Sequence, residues 1–234
     1  MMATTGLGHL KDALLDLLFP PRCIGCQRGG TWLCASCRAQ IELVLPPLCA
    51  VCGQHLDPGS ACRNTHPRSL DGIRSAAYST GVLREGIHQF KYEGLRVLAV
   101  PFGELLCACW QAHPWPADGI VPVPLHPRRV RERGYNQSLL LAEQLARGTG
   151  LTLEAKLLQR TRYTRPQVGL NAPERAQNVA DAFACVAPVT GRRLVLVDDV
   201  CTTGATLDAC GAALKAQGAA SVWALTLARA RDLN

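Results

Sequence analysis

Aromatic side chains are scarce in this chain of 234 residues, where Phe, Tyr and Trp together make up 5%. A nucleic-acid surface of stacked aromatics would have little material, and the most basic stretch offers only Tyr135 and Tyr163. Long apolar runs are missing as well: no stretch of about 18 uncharged apolar residues exists, so no membrane-spanning helix is expected. The opening MMATTGLGHLKDALLDLLFP puts Lys11, Asp12 and Asp16 inside what would be the apolar core of a secretory signal. The expectation is therefore a cytoplasmic protein without membrane insertion. In a reducing compartment, 12 cysteines with paired Cys-x-x-Cys spacing favour metal binding over disulfides.

The length suits one large domain, or a medium domain with a small one. Acidic residues are the minority, and the net charge of +7 is concentrated. Residues 125–175 hold 10 Lys/Arg against 4 Asp/Glu, a local net of +6, while the segments on either side are nearly balanced. Arginine gathered in one segment points to a polyanionic partner, with a solvated basic face as the plainer alternative.

Cysteine spacing divides the chain. CIGCQRGGTWLCASC gives Cys23-x-x-Cys26, a seven-residue spacer, then Cys34-x-x-Cys37. Each pair sits on a tight knuckle turn with both sulfurs facing one point, so two pairs complete a tetrahedral zinc shell. CAVCGQHLDPGSACRNTH begins alike with Cys49 and Cys52 but then offers only Cys62, leaving His66 or His55 as the fourth ligand. His66 is favoured, because the Cys62-x-x-x-His66 spacing lets both side chains converge, whereas His55 follows its knuckle closely. Buried free thiols are the alternative for both sets. Closed four-ligand sites are structural and supply folding energy to a segment too small for its own core. Upstream, Leu7, Leu10, Leu14, Leu17 and Leu18 follow helical spacing until Pro20 and Pro21. Residues 1–68 thus read as a helix plus a two-zinc module.

From Asp71 the pattern alternates between strands and helices. Strands are expected near 72–79, 119–124, 183–187, 193–198 and 221–228, and helices near 81–91, 95–111, 136–147, 173–180 and 204–217. Such alternation implies an α/β domain over 69–234, a mainly parallel sheet covered on both faces. Residues 160–172 lack periodicity and read as a mobile loop. Ligands of such sheets bind beyond the carboxyl ends of the strands, where LHPRRVRERGYNQ and DDVCTTGAT would emerge.

The second of these segments carries the chemistry. A strand running through Thr202, Thr203, Gly204, Ala205 and Thr206 into a helix presents backbone N–H groups, hydroxyls and a positive helix end to one phosphate. Asp198 and Asp199 would repel that phosphate; as acceptors they suit the 2′- and 3′-hydroxyls of a ribose one sugar's width away. The expected ligand is a ribose 5-phosphate unit.

LVLVDDVCTTGAT resembles the phosphoribosyl pyrophosphate motif of type I phosphoribosyltransferases. With VPVPLHPRRVRERGYNQ, HQFKYEG, RPQVGLNAPERAQNVADAF and the upstream cysteine pairs, the chain is similar to the competence-associated ComF branch of that superfamily over nearly its whole length. The resemblance implies that Asp198 and Asp199 hold the ribose hydroxyls and that residues 202–206 cradle the 5-phosphate. It also makes Leu125–Gly134 the pyrophosphate loop. Arg129 and Arg133 are chosen there, because a diphosphate needs fork-shaped donors; Arg128 and Lys91 are further phosphate contacts, Lys91 also reading as a lysine closing an exposed helix. Mg²⁺ would bridge ribose and diphosphate oxygens while pyrophosphate leaves the anomeric carbon.

Two classes of function follow: phosphoribosyl transfer to an unread acceptor, or a non-catalytic protein of DNA uptake that uses the pocket to grip single-stranded DNA or sense a nucleotide. Other competence proteins are implied partners.

This chain departs from the family pattern at the second zinc site and at Cys201, which reads as a small hydrophobe. Gln167, Arg175 and Asn178 lie in the family's mobile active-site segment, His88, His113 and His126 read as structural or solvent-facing, and Asp208 as a helix-surface residue.

Overall fold

A sheet of parallel strands frames the computed structural model, which describes residues 20–62, 64, 66–163, 172–179 and 181–231. The helix expected over Leu7–Leu18 and residues 164–171 of the expected loop lie outside the described residues. The strands are β1 Gly72–Tyr78, β2 Gly119–Pro122, β3 Thr152–Leu153, β4 Leu158–Arg160, β5 Phe183–Cys185, β6 Arg193–Cys201 and β7 Ser221–Arg229. Helices are α1 Ala35–Arg38, α2 Gly81–Tyr92, α3 Ala99–Ala112, α4 Pro127–Arg133, α5 Gln137–Thr149, α6 Ala172–Val179 and α7 Ala205–Ala216. The main sheet runs β1-β7-β6-β2-β3, each neighbouring pair parallel.

β6 shows why this sheet forms. Leu194, Val195, Leu196 and Val197 are all 0% exposed, since successive side chains point to opposite faces and both faces are covered. Val195 and Val197 pack with Leu83 of α2, Phe102 of α3 and Leu141 of α5, whereas Leu194 and Leu196 pack with Leu207 and Leu214 of α7. Each such burial stabilises by about 2 kcal/mol. On the first face the helices nearly touch. A Cβ at Gly103 of α3 would lie 2.2 Å from Gln144 Cβ of α5, and one at Gly148 would lie 2.5 Å from Cys107 Sγ, so both crossings require glycine.

Two local features differ from the sequence expectation. β5 is not in the parallel sheet; it pairs antiparallel with β4, two three-residue strands laid over the α7 face. Runs that short carry too little periodicity to place. The segment 125–134, expected as a loop, contains α4: Pro127 stands at its first turn, the His126 ring accepts the Arg128 backbone N–H at 3.2 Å, and Gly134 ends it at φ 84°.

The cysteine module is not a separate body. Cys23, Ile24, Leu33, Cys34 and Cys37 belong to the same buried cluster as Leu83 and Phe102. Its next segment closes the outer edge of β1. The Val44 backbone N–H donates to the Ala76 carbonyl at 3.1 Å, Tyr78 N–H to Glu42 at 2.8 Å, and Ile73 N–H to Val51 at 2.7 Å. An edge strand that would otherwise present free backbone groups is thereby paired. Beneath the carboxyl end of β7, Arg229 is 5% exposed and donates to the Cys52 carbonyl at 2.9 Å and to Gln54 Oε1 at 2.8 Å.

Candidate functional site

Two clusters of metal-type donors occur in the module. The Sγ atoms of Cys23, Cys26, Cys34 and Cys37 lie within 4.8 Å of one another, as do the donor atoms of Cys49, Cys52, Cys62 and His66. Neighbouring donors sit 3.6 Å apart for Cys26 and Cys34, 3.5 Å for Cys52 and Cys62, and 3.3 Å for Cys62 Sγ and His66 Nε2. A zinc tetrahedron with bonds of about 2.3 Å has sulfur–sulfur edges of about 3.8 Å, so both sets fit that ion. His66, not His55, completes the second set; His55 Nδ1 lies 2.8 Å from the Leu45 carbonyl. The Ser36 hydroxyl and the Cys37 backbone N–H bring the Cys34 thiol down to about 6, whereas burial and the neighbouring thiols push Cys37 up to about 12, so without a cation the four cannot all be thiolates together.

The second centre is a cavity of about 400 Å³ at the carboxyl ends of the strands. Asp198 and Asp199, late in β6, form its floor and are 8% and 3% exposed. Asp198 Oδ1 accepts from Ser138 Oγ at 2.7 Å and from the Asp199 backbone N–H at 2.9 Å. Burial, then the Asp199 charge, push the Asp198 carboxyl up to about 7, against the opposing pull of the Ser138 hydroxyl. Lys91, from the last turn of α2, places its ammonium 2.8 Å from Asp199 Oδ2. Burial disfavours the ammonium, but the Asp199 carboxylate outweighs it and raises the Lys91 pKa.

Thr202 and Thr206 line this cavity, and a niche of about 30 Å³ opens beside them against Asp198, Gly204 and Ala205. Gly204 takes φ 79° in the turn, its Cα facing Ile73 of β1 so closely that a Cβ would meet Ile73 Cδ1 at 3.3 Å. Thr203 lines neither space; its Oγ accepts the Ala205 backbone N–H at 3.4 Å. Cys201 is buried behind the turn, and burial lifts its thiol to about 11, the behaviour of a small hydrophobe.

Arg129 and Arg133 of α4 form the rim, Arg133 donating to Gln137 Oε1 and lying 5.2 Å over the Tyr92 ring. Arg128 is turned away from the cavity, pairing with Glu132 at 2.9 Å and covering Tyr163 at 4.9 Å. Gln167 and the Arg175 side chain lie outside the described residues, and the Asn178 carbonyl accepts from Arg162 at 3.3 Å. Asp208 accepts the Ser69 backbone N–H at 2.7 Å, fastening α7 to the module's end.

Sequence reading missed Ser138, Arg84 and Arg160, all on the cavity wall. Arg160 lies 5.3 Å over Phe183, and burial and the Arg129 charge lower its pKa. Ser138 had a usable signal: Asn136 accepts its backbone N–H at 3.1 Å as the cap of α5, which aims the first turn at the strand ends.

Comparison with known proteins agrees with this division. A double zinc ribbon domain model matches residues 14–65 and a phosphoribosyl transferase domain model matches residues 136–233. Competence protein F of Haemophilus influenzae is 32% identical over 226 residues, covering 89% of this chain and 97% of the relative. DNA utilization protein YhgH of Escherichia coli K12 is 34% identical over 209 residues, 86% of this chain and 92% of the relative. Competence protein ComFC of Bacillus subtilis is 28% identical over 210 residues, 84% of each chain. Among solved structures, a glutamine phosphoribosylpyrophosphate amidotransferase from B. subtilis shares 25% identity at a TM-score of 0.40, covering 56% of this chain and 26% of that one. With a zinc-ribbon module ahead of a phosphoribosyltransferase domain, and relatives matched over most of their length, this chain belongs to the ComF family of competence proteins.

Proposed function

We propose that this protein binds phosphoribosyl pyrophosphate with Mg²⁺ and transfers its phosphoribose to an acceptor, in the cytoplasm and in the service of DNA uptake. One observation carries the reading: a buried acid pair, a helix N-terminus with two threonines, and two arginines open onto one cavity. Residues 1–68 act as the zinc-ribbon unit and residues 69–234 as the transferase unit.

In this reading the backbone N–H groups and hydroxyls of Thr202–Thr206 hold the 5-phosphate, and Asp198 and Asp199 accept from the ribose diol. Asp199 Oδ2 pairs with the Lys91 ammonium at 2.8 Å, and the remaining lone pairs of the carboxylate can accept from a hydroxyl. Asp198 and Asp199 are also the carboxylates that would hold Mg²⁺, whose chemistry is to neutralise and orient the diphosphate. Arg129 and Arg133 hold the departing diphosphate, and Lys91 lowers the cost of gathering negative charge on a buried floor. A calorimetric titration with phosphoribosyl pyrophosphate and Mg²⁺ should give saturable binding; silence at millimolar ligand contradicts the proposal.

A second reading has its own support. α4 carries four arginines, of which Arg129 and Arg133 line the cavity while Arg128 and Arg131 extend the basic surface beside it, and relatives bear the names competence protein and DNA utilization protein. Single-stranded DNA on this rim would be held electrostatically, its affinity falling by about 0.7 log unit per log unit of salt for each phosphate neutralised. Anisotropy of a labelled oligonucleotide at two salt concentrations tests it, and binding that ignores salt rules it out.

A further inference from the structure

Beside the ribose-phosphate cavity lies an annex of about 290 Å³, walled by Lys91, Tyr92, Arg129, Glu132, Arg133 and Tyr163. Four of these residues also line the main cavity, so the two spaces adjoin. The annex is chemically unlike the floor. The chain has only 4 tyrosines, and two of them stand here well exposed, Tyr92 at 64% and Tyr163 at 42%. They come from different elements, Tyr92 from the end of α2 and Tyr163 from the segment after β4.

Each ring is braced alike. Arg133 covers Tyr92 at 5.2 Å while His88 packs against it at 5.1 Å. Arg128 covers Tyr163 at 4.9 Å while His126 meets it edge-on at 5.2 Å. A ring held by a cation on one side and still largely exposed is oriented without being buried, and its remaining surface is free for a flat partner. The guanidinium of Arg129 and the fork of Arg133 stand on the same wall, where they suit a phosphate. A tyrosine hydroxyl can donate to a free phosphate, but an exposed ring face adds nothing to that contact and suits a flat partner, which in turn would leave the arginine forks for a phosphate. The combination fits a heterocyclic base with a phosphate attached. Glu132, whose Oε1 accepts from Arg128 at 2.9 Å, adds an acceptor for an exocyclic amine.

We infer that the annex is a nucleobase subsite: a nucleotide, free or as one unit of a single strand, stacks its base on Tyr92 and Tyr163 and sets its phosphate against Arg129 and Arg133. This rests on the proposed ribose-phosphate cavity only in naming the class of molecule that would meet it there. The scarcity of aromatics in residues 125–175 concealed the subsite, because one of its rings arrives from α2 and the other basic-segment ring, Tyr135, is only 6% exposed.

The test is anisotropy of adenosine monophosphate labelled on its ribose, and of a short 5′-labelled single-stranded oligonucleotide, against the full chain and its variants. Tyr163→Ala should weaken binding about fivefold to a hundredfold, the scale of losing one base–aromatic stack, and Tyr163→Phe should keep it within about twofold. Binding of the mononucleotide assigns the subsite to free nucleotides; binding of the oligonucleotide alone assigns it to a strand. Unchanged affinity in Tyr163→Ala, or no binding of either probe by the unaltered chain, overturns the inference. Calorimetry with phosphoribosyl pyrophosphate separates the two readings. Tyr163→Ala should leave that affinity unchanged, and a chain that binds nucleotide through Tyr163 but not phosphoribosyl pyrophosphate refutes the proposed function while leaving the subsite in place.

Discussion

The floor and the rim of the cavity are built to opposite rules. On the floor, Asp198 and Asp199 are almost wholly buried, and each has a fixed partner, Ser138 Oγ at 2.7 Å and the Lys91 ammonium at 2.8 Å. On the rim, α4 has no buried residue, and its arginines meet exposed tyrosines and glutamate. Buried charges in fixed geometry cost stability and return preorganisation for one ligand. Exposed arginines and aromatics cost the fold little and can adapt to different anions. Under the proposed function, the floor would fix which sugar-phosphate is bound, and the rim would decide what else reaches it.

The floor also depends on the module in a way the rim does not. Arg229 of β7 hangs on the Cys52 carbonyl, and the first cysteine cluster shares its core with α2, which carries Lys91. Removing zinc should thus unfold more than the module. Cys23→Ser or strong chelation should lower the melting temperature of the whole chain by more than 10 °C, given that the binding energy of structural zinc, roughly 10 kcal/mol, is folding energy. Mass spectrometry of the untreated protein should find two zinc ions per chain. A sheet that melts unchanged without metal would break the link between module and floor.

The next largest effect belongs to the Lys91–Asp199 pair. Lys91→Met alone leaves a carboxylate uncompensated on the floor and should cost about 3 kcal/mol in urea unfolding, whereas Lys91→Met with Asp199→Asn should recover most of it. Equal losses in single and double variants would mean that the pair is not coupled. pH sharpens the same contrast. Between about 4 and 7 the folded protein keeps the Asp198 proton that the unfolded chain has already released, so this group's contribution makes stability fall as pH rises through that window. Affinity for a ribose diol should rise over the same window, because the ionised carboxylate is the better acceptor. Asp198→Asn should flatten both slopes. On the rim, Arg129→Ala should leave the melting temperature alone and weaken anion binding by about 1 kcal/mol, an effect that fades at high salt.

Residues adjacent in sequence made part of this site readable. Asp198, Asp199, Thr202 and Thr206 lie on one strand–turn–helix passage, so hydrophobic run, acid pair and glycine turn could be read in a line, and knuckle spacing gave seven of the eight metal-type donors without ambiguity. What brings distant residues together was not readable. Lys91 read either as a phosphate contact or as a lysine closing an exposed helix, and nothing local in the sequence encodes its pairing with Asp199 at 2.8 Å. Ser138 and Arg160 face the cavity through helix and strand packing that no local pattern encodes. The edge pairing of residues 42–44 with β1, which ties module to sheet, joins segments without strand periodicity on the module side.

The central claim is that the acid pair is a sugar-diol site. Calorimetry with phosphoribosyl pyrophosphate and Mg²⁺ on the unaltered chain and on the Asp198→Asn, Asp199→Asn double variant tests it most directly. Replacing two charge-assisted acceptors should weaken binding by roughly 2–4 kcal/mol, about thirtyfold to a thousandfold, while circular dichroism confirms a folded sheet. Equal affinity in the two proteins would contradict the account.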